Sequence, residues 1–267
     1  MMDDGQTDNY RMLDIGGVAI EVHEFGAGEP LLYLHGGYGL LYDRPFLQRL
    51  AGKRRIIAPS HPGFGRSDLP DWLEDVDDIS HVHLEALHQL GIDRFDCLGA
   101  SLGGWIAADL ATKIPERIKR LALIAPMGVK LGSEEQLDIP DLFVARPEAV
   151  ERMTFADPRK ARLDYASMTD EELGRIARDR ETHTLLVWEP YMHSAKLRHR
   201  LHRLRMPALF LRGAQDGVVS ADYLSGYAGL APHARVETIP AAGHLPQFEQ
   251  AEATASLIES FLTGPGA

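Results

Sequence analysis

One serine in this sequence has neighbours suited to nucleophilic attack. Gly99-Ala100-Ser101-Leu102-Gly103-Gly104 follows the apolar run Phe95–Leu98 and leads into the helix-forming run Trp105-Ile106-Ala107. A G-x-S-x-G pattern between a strand and a helix is that of a nucleophile elbow. The serine sits on a sharp, strained turn, and its hydroxyl projects above the sheet edge. Glycines two places before and two after it let strand and helix approach without Cβ clashes. The N–H of Leu102, at the head of the helix, then points at an oxyanion developing beside the serine.

A serine hydroxyl is a poor nucleophile without a base. His244, in Ala242-Gly243-His244-Leu245-Pro246, lies just past the last strand-like run, which ends near Ile239. That is the carboxyl-end side of a parallel sheet, where ligands bind in open α/β folds. Asp216, closing the segment LRGAQD at 211–216, follows the preceding strand-like run. A carboxylate there can hold the imidazole tautomer and stabilise the imidazolium. The rival Asp222 reads as the start of a helix, and the loop Ala125–Gly128 offers no acid. A second backbone donor for the oxyanion is expected from His35-Gly36-Gly37-Tyr38-Gly39, with Gly37 assigned and Tyr38 next in line. His35 itself reads as structural. The bland alternatives are a glycine-rich turn, a loop histidine among twelve and an Asx turn.

These residues need a rigid frame, and the chain supplies one. Short apolar runs at 31–34, 55–58, 95–98, 121–124, 208–211 and 235–239 alternate with helical patterns at 79–90, 102–112 and 251–262. Near-continuous apolar runs are those of strands buried on both faces, and the alternation is that of an α/β protein with a mostly parallel sheet. Met12–Ile15 and Val18–Phe25 read as an antiparallel pair at one edge, joined at Gly16-Gly17. Gly91 reads as the C-cap of the helix at 79–90. From 128 to 205 no strong strand signal occurs. Helical, charge-rich segments at 147–153, 157–166, 170–187 and 194–204 predict a helical cap inserted over the sheet. The expected organisation is a core of residues 1–127 and 206–267 carrying a cap of residues 128–205.

Composition narrows the function. The chain has 267 residues, 45% of them hydrophobic and 25% charged, enough to bury a large core and a shielded site. A net charge of −11 disfavours a nucleic-acid surface, which needs clustered positive charge. The single cysteine, Cys97, excludes an internal disulfide, and a reducing cytoplasm fits best. The acidic N-terminus MMDDGQTDNYRM lacks the basic and apolar regions of a secretory signal. No apolar stretch approaches the roughly 20 residues of a membrane span. Residues 1 to about 10 and 264–267 read as mobile tails.

Tyr38, Trp105, Met127, Trp188, Tyr191, Met192 and Leu245 are the candidate pocket walls between elbow and cap, apolar enough for a hydrophobic acyl or alcohol group. Ordinary core packing is the competing reading for each. Lys196, Arg198, Arg200, Arg203 and Arg205, interleaved with His199 and His202, read as a solvated helix face sooner than as a device for steering acidic substrates. His81, His83 and His88 lack the wider ligand cluster of a metal site, and Cys97 reads as an inert small hydrophobe inside a strand.

Five segments in order, HGGYG at 35–39, SHPGFGRSD at 60–68, GASLGG at 99–104, LRGAQD at 211–216 and AGHLPQFEQ at 242–250, resemble the α/β-hydrolase superfamily along almost the whole chain. The resemblance implies an eight-stranded sheet, a cap between the sixth and seventh strands, and hydrolysis through an acyl-enzyme without metal or organic cofactor. It also makes PGFGRSD a structural turn, with Ser67 and Asp68 as turn residues. Haloalkane dehalogenases and epoxide hydrolases of the superfamily use an aspartate nucleophile, which Ser101 disfavours here. The carbon–carbon bond hydrolases of aromatic-ring degradation use serine, but in many of them tryptophan follows the base, where this chain has Leu245. The leading expectation is therefore a carboxylic ester hydrolase acting on a small molecule. A carbon–carbon bond hydrolase of a ring-cleavage product is the alternative, and a hydrolase-fold ligand-binding protein with low turnover is a third. The sequence is also compatible with a homodimer formed through the cap.

Overall fold

The computed structural model describes residues 10–161 and 163–264. Ten strands occur among them: β1 (Tyr10–Ile15), β2 (Val18–Phe25), β3 (Glu29–Leu34), β4 (Arg54–Pro59), β5 (Phe95–Ala100), β6 (Ile118–Ile124), β7 (Gly128–Val129), β8 (His193–Ser194), β9 (Ala208–Gly213) and β10 (Ala234–Ile239). Eight of these form one sheet in the order β1-β2-β4-β3-β5-β6-β9-β10, and β7 pairs with β8 apart from it. β2 is antiparallel to both β1 and β4, and every other neighbouring pair in the sheet is parallel. Gly16 and Gly17 join β1 to β2 with φ of 62° and 89°, a left-handed pair that favours glycine and suits a two-residue hairpin turn.

β5 lies between β3 and β6 and all six of its residues are buried, as its unbroken apolar run demands. β10, at the far edge, buries only Ile239 fully. Eight α-helices accompany the strands: α1 (Arg44–Ala51), α2 (Val76–Gln89), α3 (Leu102–Lys113), α4 (Pro147–Thr154), α5 (Asp170–Val187), α6 (Ala221–Ala228), α7 (Pro246–Glu249) and α8 (Ala251–Thr263). α2 begins three residues before the apolar pattern does, because Asp75 and Asp78 form a reciprocal capping box, and Gly91 follows its end at φ 66°. No described helix is long and apolar enough to cross a membrane.

The tails correspond only partly to expectation. Tyr10 is the first residue of β1, and the N–H of Gly264 closes α8 on the Ser260 carbonyl. Residues 1–9 and 265–267 lie outside the described residues.

The stretch between β6 and β9 holds α4 and α5 as the sequence predicts, with Pro147 in the first turn of α4. The rest of it departs from expectation. Residues 157–166 do not form a continuous helix. Two 3₁₀ turns, Pro158–Ala161 and Tyr165–Ser167, stand there instead, and residue 162 lies outside the described residues. Residues 194–204 likewise form 3₁₀ turns, Leu197–His199 and Leu201–Arg203, after β8. Leu197, Leu201 and Leu204 are fully buried there, so their helix-like spacing reports burial and not an α-helix. The basic side chains of this region divide: Lys196, His199, His202, Arg203 and Arg205 are exposed as expected, while Arg198 and Arg200 are part-buried, and three of the arginines are also engaged by protein partners. Arg200 pairs with Asp77 and Asp109, Arg203 donates to the Thr112 carbonyl at 2.6 Å, and Arg198 donates to the Lys130 carbonyl at 3.0 Å. They tie the inserted stretch to α2, to α3 and to its own beginning.

The centre of the sheet is held by contacts too close for a side chain. A Cβ on Gly103 would stand 2.0 Å from the Leu34 carbonyl oxygen, and one on Gly99 would stand 2.2 Å from that of Gly103. Backbone cannot retreat from such contacts without moving β3, β5 and α3 together. Gly103→Ala is expected to lower the urea unfolding free energy by about 3 kcal/mol, at the upper end for an overpacked site. A midpoint equal to that of the unsubstituted protein would refute the close approach.

Candidate active site

β5 ends at Ala100, α3 starts at Leu102, and the turn between them is Ser101 alone. Its backbone stands at φ 54°, ψ −112°, outside the regions that side-chain-bearing residues ordinarily occupy. The Ser101 N–H donates to the Ile124 carbonyl on β6 at 2.8 Å, which anchors the turn to the neighbouring strand. The hydroxyl oxygen lies 2.9 Å from Nε2 of His244, and Nδ1 of His244 lies 3.1 and 3.3 Å from the two carboxylate oxygens of Asp216.

The carboxylate fixes the proton positions in this chain. An ionised carboxylate only accepts, so Nδ1 of His244 carries the hydrogen and Nε2 presents its lone pair to the serine O–H. Asp216 is fixed in turn. Its Oδ1 accepts from the N–H groups of Val218 and Val219 at 2.8 and 2.9 Å, and its side chain has no solvent exposure. Arg212, buried beneath the loop, donates to the main-chain carbonyls of Asp216 and Val219 at 2.7 and 2.9 Å. The backbone N–H of His244 donates to the Thr154 carbonyl at 2.7 Å, and Glu249 accepts from Gly243, Ala156 and Asp157 at 2.6, 3.1 and 2.9 Å. The loop bearing the imidazole is thus fastened to the stretch between β6 and β9.

The glycine loop after β3 rests on three buried histidines whose tautomers follow from their partners. The His61 N–H donates to Nε2 of His35 at 3.1 Å, so Nδ1 of His35 holds the hydrogen and donates to the Gly36 carbonyl at 2.8 Å. Nε2 of His61 donates to the His35 carbonyl at 2.9 Å, so its Nδ1 accepts from Nε2 of His83 at 2.8 Å. Each of these three linked rings is neutral. Burial, the largest cause, holds His35 down to about 4, His83 to about 3 and His61 well below the usual imidazole range. His35 is therefore a support of the loop, as its sequence context predicts. His83 belongs to the same support, while His81 and His88 are exposed on the face of α2 turned away from it, so the three helix histidines do not converge.

A cavity of about 400 Å³ opens over Ser101 and His244. The loop after β3 contributes Gly36, Gly37 and Tyr38 to its wall, and Met127, Val150, Met192, Val218 and Leu245 give it apolar character. α5 contributes Arg180, His183 and Thr184, which helical spacing puts on one face.

A family model of the alpha/beta hydrolase fold matches residues 29–251, most of the chain. This chain belongs to the α/β-hydrolase family. The 2-hydroxymuconate semialdehyde hydrolase of Pseudomonas sp. strain CF600 is 28% identical to it, covering 94% of this chain and 93% of that protein. The dihydrolipoyllysine-residue acetyltransferase component of the acetoin cleaving system of Pseudomonas putida is 30% identical, covering 93% of this chain and 68% of that one. A meta-cleavage product hydrolase structure from Pseudomonas fluorescens IP01 superposes with a TM-score of 0.78 at 20% identity, over 94% of this chain and 97% of its own, a likeness of fold.

Within this α/β hydrolase, the sequence-predicted residues Ser101, Asp216 and His244 meet in one hydrogen-bonded chain. Tyr38, Met127, Met192 and Leu245 line the cavity with Gly37. Leu102 is fully buried as the first residue of α3, where helix N–H groups lack an intrahelical partner. Three predicted wall residues stand elsewhere. Trp105 packs into the core under Gly128, where a Cβ would come within 2.2 Å of its ring. Trp188 caps α5, 57% exposed, with its ring against Phe143 at 5.4 Å. Tyr191 donates to the Pro140 carbonyl at 2.7 Å and accepts from the Leu142 N–H at 2.8 Å, outside this cavity. Their size and apolar character marked them as buried or contacting residues, but not which face they would serve. Ser67 and Asp68 do act as turn residues, the serine bridging Glu21 and Ser60 and the aspartate taking the Ala19 N–H.

Sequence reading missed Asp43, Arg180, His183 and Gln247 in the wall, and Arg212 and Glu249 behind it. Asp43 and Gln247 stand within or beside quoted motifs, and Gln247 donates to Asp43 at 3.1 Å. Burial, the largest cause, holds the Asp43 carboxyl up to about 6.

The neutral histidines set a pH dependence of stability. His35, His61 and His83, with His183 at about 4, bind protons less readily folded than unfolded, so unfolding takes up protons between about pH 6.5 and 4. Stability is present above 6.5 and drains as pH falls through that window, by about 1.4 kcal/mol for each unit of each shift. Asp43, Asp96 and Asp179, held up chiefly by burial, work in the opposite sense, while Glu21, held well below the usual carboxylate range, works with the four imidazoles. Urea midpoints measured from pH 7.5 to 4 are expected to fall steadily, and a flat profile would contradict this account.

Proposed function

We propose that this protein is a serine hydrolase that cleaves a small hydrophobic carboxylic ester or related acyl compound through an acyl-enzyme. The observation that carries the reading is the unbroken hydrogen-bond chain from Asp216 through His244 to Ser101, opening onto a cavity. Ser101 is the nucleophile, His244 the base and Asp216 the orienting acid. The N–H groups of Gly37 and Leu102 serve as oxyanion donors. The stretch 128–205 is read as a cap over a core of residues 1–127 and 206–267.

In this reaction the serine oxygen attacks the carbonyl carbon while its proton passes to Nε2 of His244. Charge on the carbonyl oxygen is met by backbone donors, which cost no reorganisation as it develops. His244 returns the proton to the leaving alcohol, and water then attacks the acyl-enzyme with His244 again as base. The Asp216 carboxylate, satisfied by two backbone N–H groups, keeps the imidazole in the required tautomer throughout. No step calls for a metal or an organic cofactor.

A second reading, a carbon–carbon bond hydrolase acting on a vinylogous diketone acid, is favoured by Arg180. It is the only arginine or lysine among the described residues lining the cavity, and its recorded hydrogen bond is to the Tyr165 hydroxyl at 2.9 Å. Arg180 shares the wall with the carboxyls of Asp43 and Glu151, and a guanidinium there suits a substrate carboxylate. Two of the proteins similar to this chain bear names of that activity.

A panel of p-nitrophenyl esters from acetate to decanoate, assayed beside a ring-cleavage diketone acid, separates the readings. Turnover of the esters with the diketone acid untouched is expected, and the reverse preference would install the second reading. In either case Ser101→Ala is expected to remove at least about 10³-fold of kcat with an unchanged melting temperature, and Asp216→Asn to cost on the order of 10³–10⁴. Wild-type turnover by the Ser101→Ala protein would exclude both.

A further inference from the structure

His183 is the one imidazole of the cavity wall that the mechanism above leaves idle. It lies on α5, one turn beyond Arg180, and its ring packs closely against Gly37 of the glycine loop. A Cβ on Gly37 would stand 2.6 Å from Cδ2 of His183 and 2.8 Å from its Cγ and Nε2. The ring occupies the space that any side chain at position 37 would need. It therefore stands beside the backbone N–H assigned to the oxyanion.

Neither ring nitrogen of His183 has a hydrogen-bond partner among the described residues. The contrast with the buried imidazoles around it is plain. Both nitrogens of His35, His61 and His244 are engaged. Nδ1 of His83 also lacks a partner, but His83 does not line the cavity. His183 is part-buried in the cavity wall, so its ring nitrogens, unpartnered by protein, are open to whatever occupies the cavity.

We propose that His183 is a further catalytic residue of this site, its ring N–H donating to the same substrate oxygen that the Gly37 N–H faces. The inference rests on the serine-hydrolase reading. The ring suits the task in two respects. Burial first, and repulsion from His244 second, hold His183 down to about 4, so it stays uncharged while His244 gains and loses its proton. An uncharged donor does not add a second positive charge beside the imidazolium. The contact also explains why position 37 is glycine: the ring can reach the loop only where no Cβ intervenes. The chemical class selected is an uncharged carbonyl compound, ester or ketone, whose oxygen becomes anionic during attack. A donor aimed at that oxygen strengthens as charge develops, so its removal acts on kcat more than on KM.

Two substitutions separate hydrogen bonding from packing. His183→Phe keeps a flat ring over Gly37 without a donor, and His183→Gln keeps a donor near the position of Nε2 without the ring. With p-nitrophenyl butyrate, His183→Phe is expected to lower kcat by about 10- to 100-fold with KM within about twofold, and His183→Gln to recover at least half of that loss on a logarithmic scale. Melting temperatures of both proteins are measured alongside. Wild-type kcat in His183→Phe would overturn the proposal. So would a loss carried by KM alone, or equal losses in the two variants. A reading independent of turnover comes from the ring ¹⁵N resonances of His183 in labelled wild-type protein titrated with sodium butyrate. They are expected to move on binding, and unmoved resonances would overturn the contact. If Ser101→Ala hydrolyses esters like the wild type, the serine-hydrolase reading falls, and the butyrate titration alone decides whether His183 faces a ligand.

Discussion

The left-handed backbone of Ser101 is the constraint on which the rest of the site depends. A non-glycine residue held at φ 54° carries conformational strain of order 1–3 kcal/mol, which the surroundings must outweigh. They do so from three sides. The Ser101 N–H is bound to β6, Gly99 and Gly103 let strand and helix touch backbone to backbone, and Leu34 closes the contact from β3. The reward for this crowding is placement. The hydroxyl stands at the carboxyl edge of the sheet, at the head of α3, within 2.9 Å of an imidazole 143 residues away in the chain.

Around that turn, polar groups are buried but almost all matched. Asp216 is enclosed with no exposure, and its charge is met by two backbone N–H groups and the ring of His244. The three histidines beneath the glycine loop solve the same problem without charge: His35 and His61 each accept at one nitrogen and donate at the other, and His83 donates to His61. Low dielectric surroundings make such a network rigid when it is complete and costly when it is not. The loop carrying Gly37 thereby gains a firm base from side chains that never reach the cavity.

The parts of this arrangement readable from sequence are those fixed by local chemistry. Ser101 is marked by its glycines, His244 and Asp216 by their positions after strand-like runs, and β1–β2 by a two-glycine turn. The cavity wall is less legible because it depends on how one element meets another. Arg180, His183 and Thr184 share a helix face by spacing alone, yet only the docking of α5 turns that face toward Ser101. Trp188 illustrates the converse: one residue past the end of α5, its indole follows the outer side of the stretch and meets Phe143. Residues 194–204 show a third limit, since buried leucines at helical intervals are also compatible with successive 3₁₀ turns.

Glu249 gives the architecture a mechanical consequence. Its carboxylate gathers the N–H groups of Gly243, Ala156 and Asp157, while the His244 N–H is spent on the Thr154 carbonyl. The imidazole is thus suspended partly from a segment whose residues also line the cavity. Lifting that segment near residues 154–157 would slacken the same bonds that hold residue 244 upright. Placement of that stretch and alignment of the proton acceptor are therefore coupled through four shared bonds.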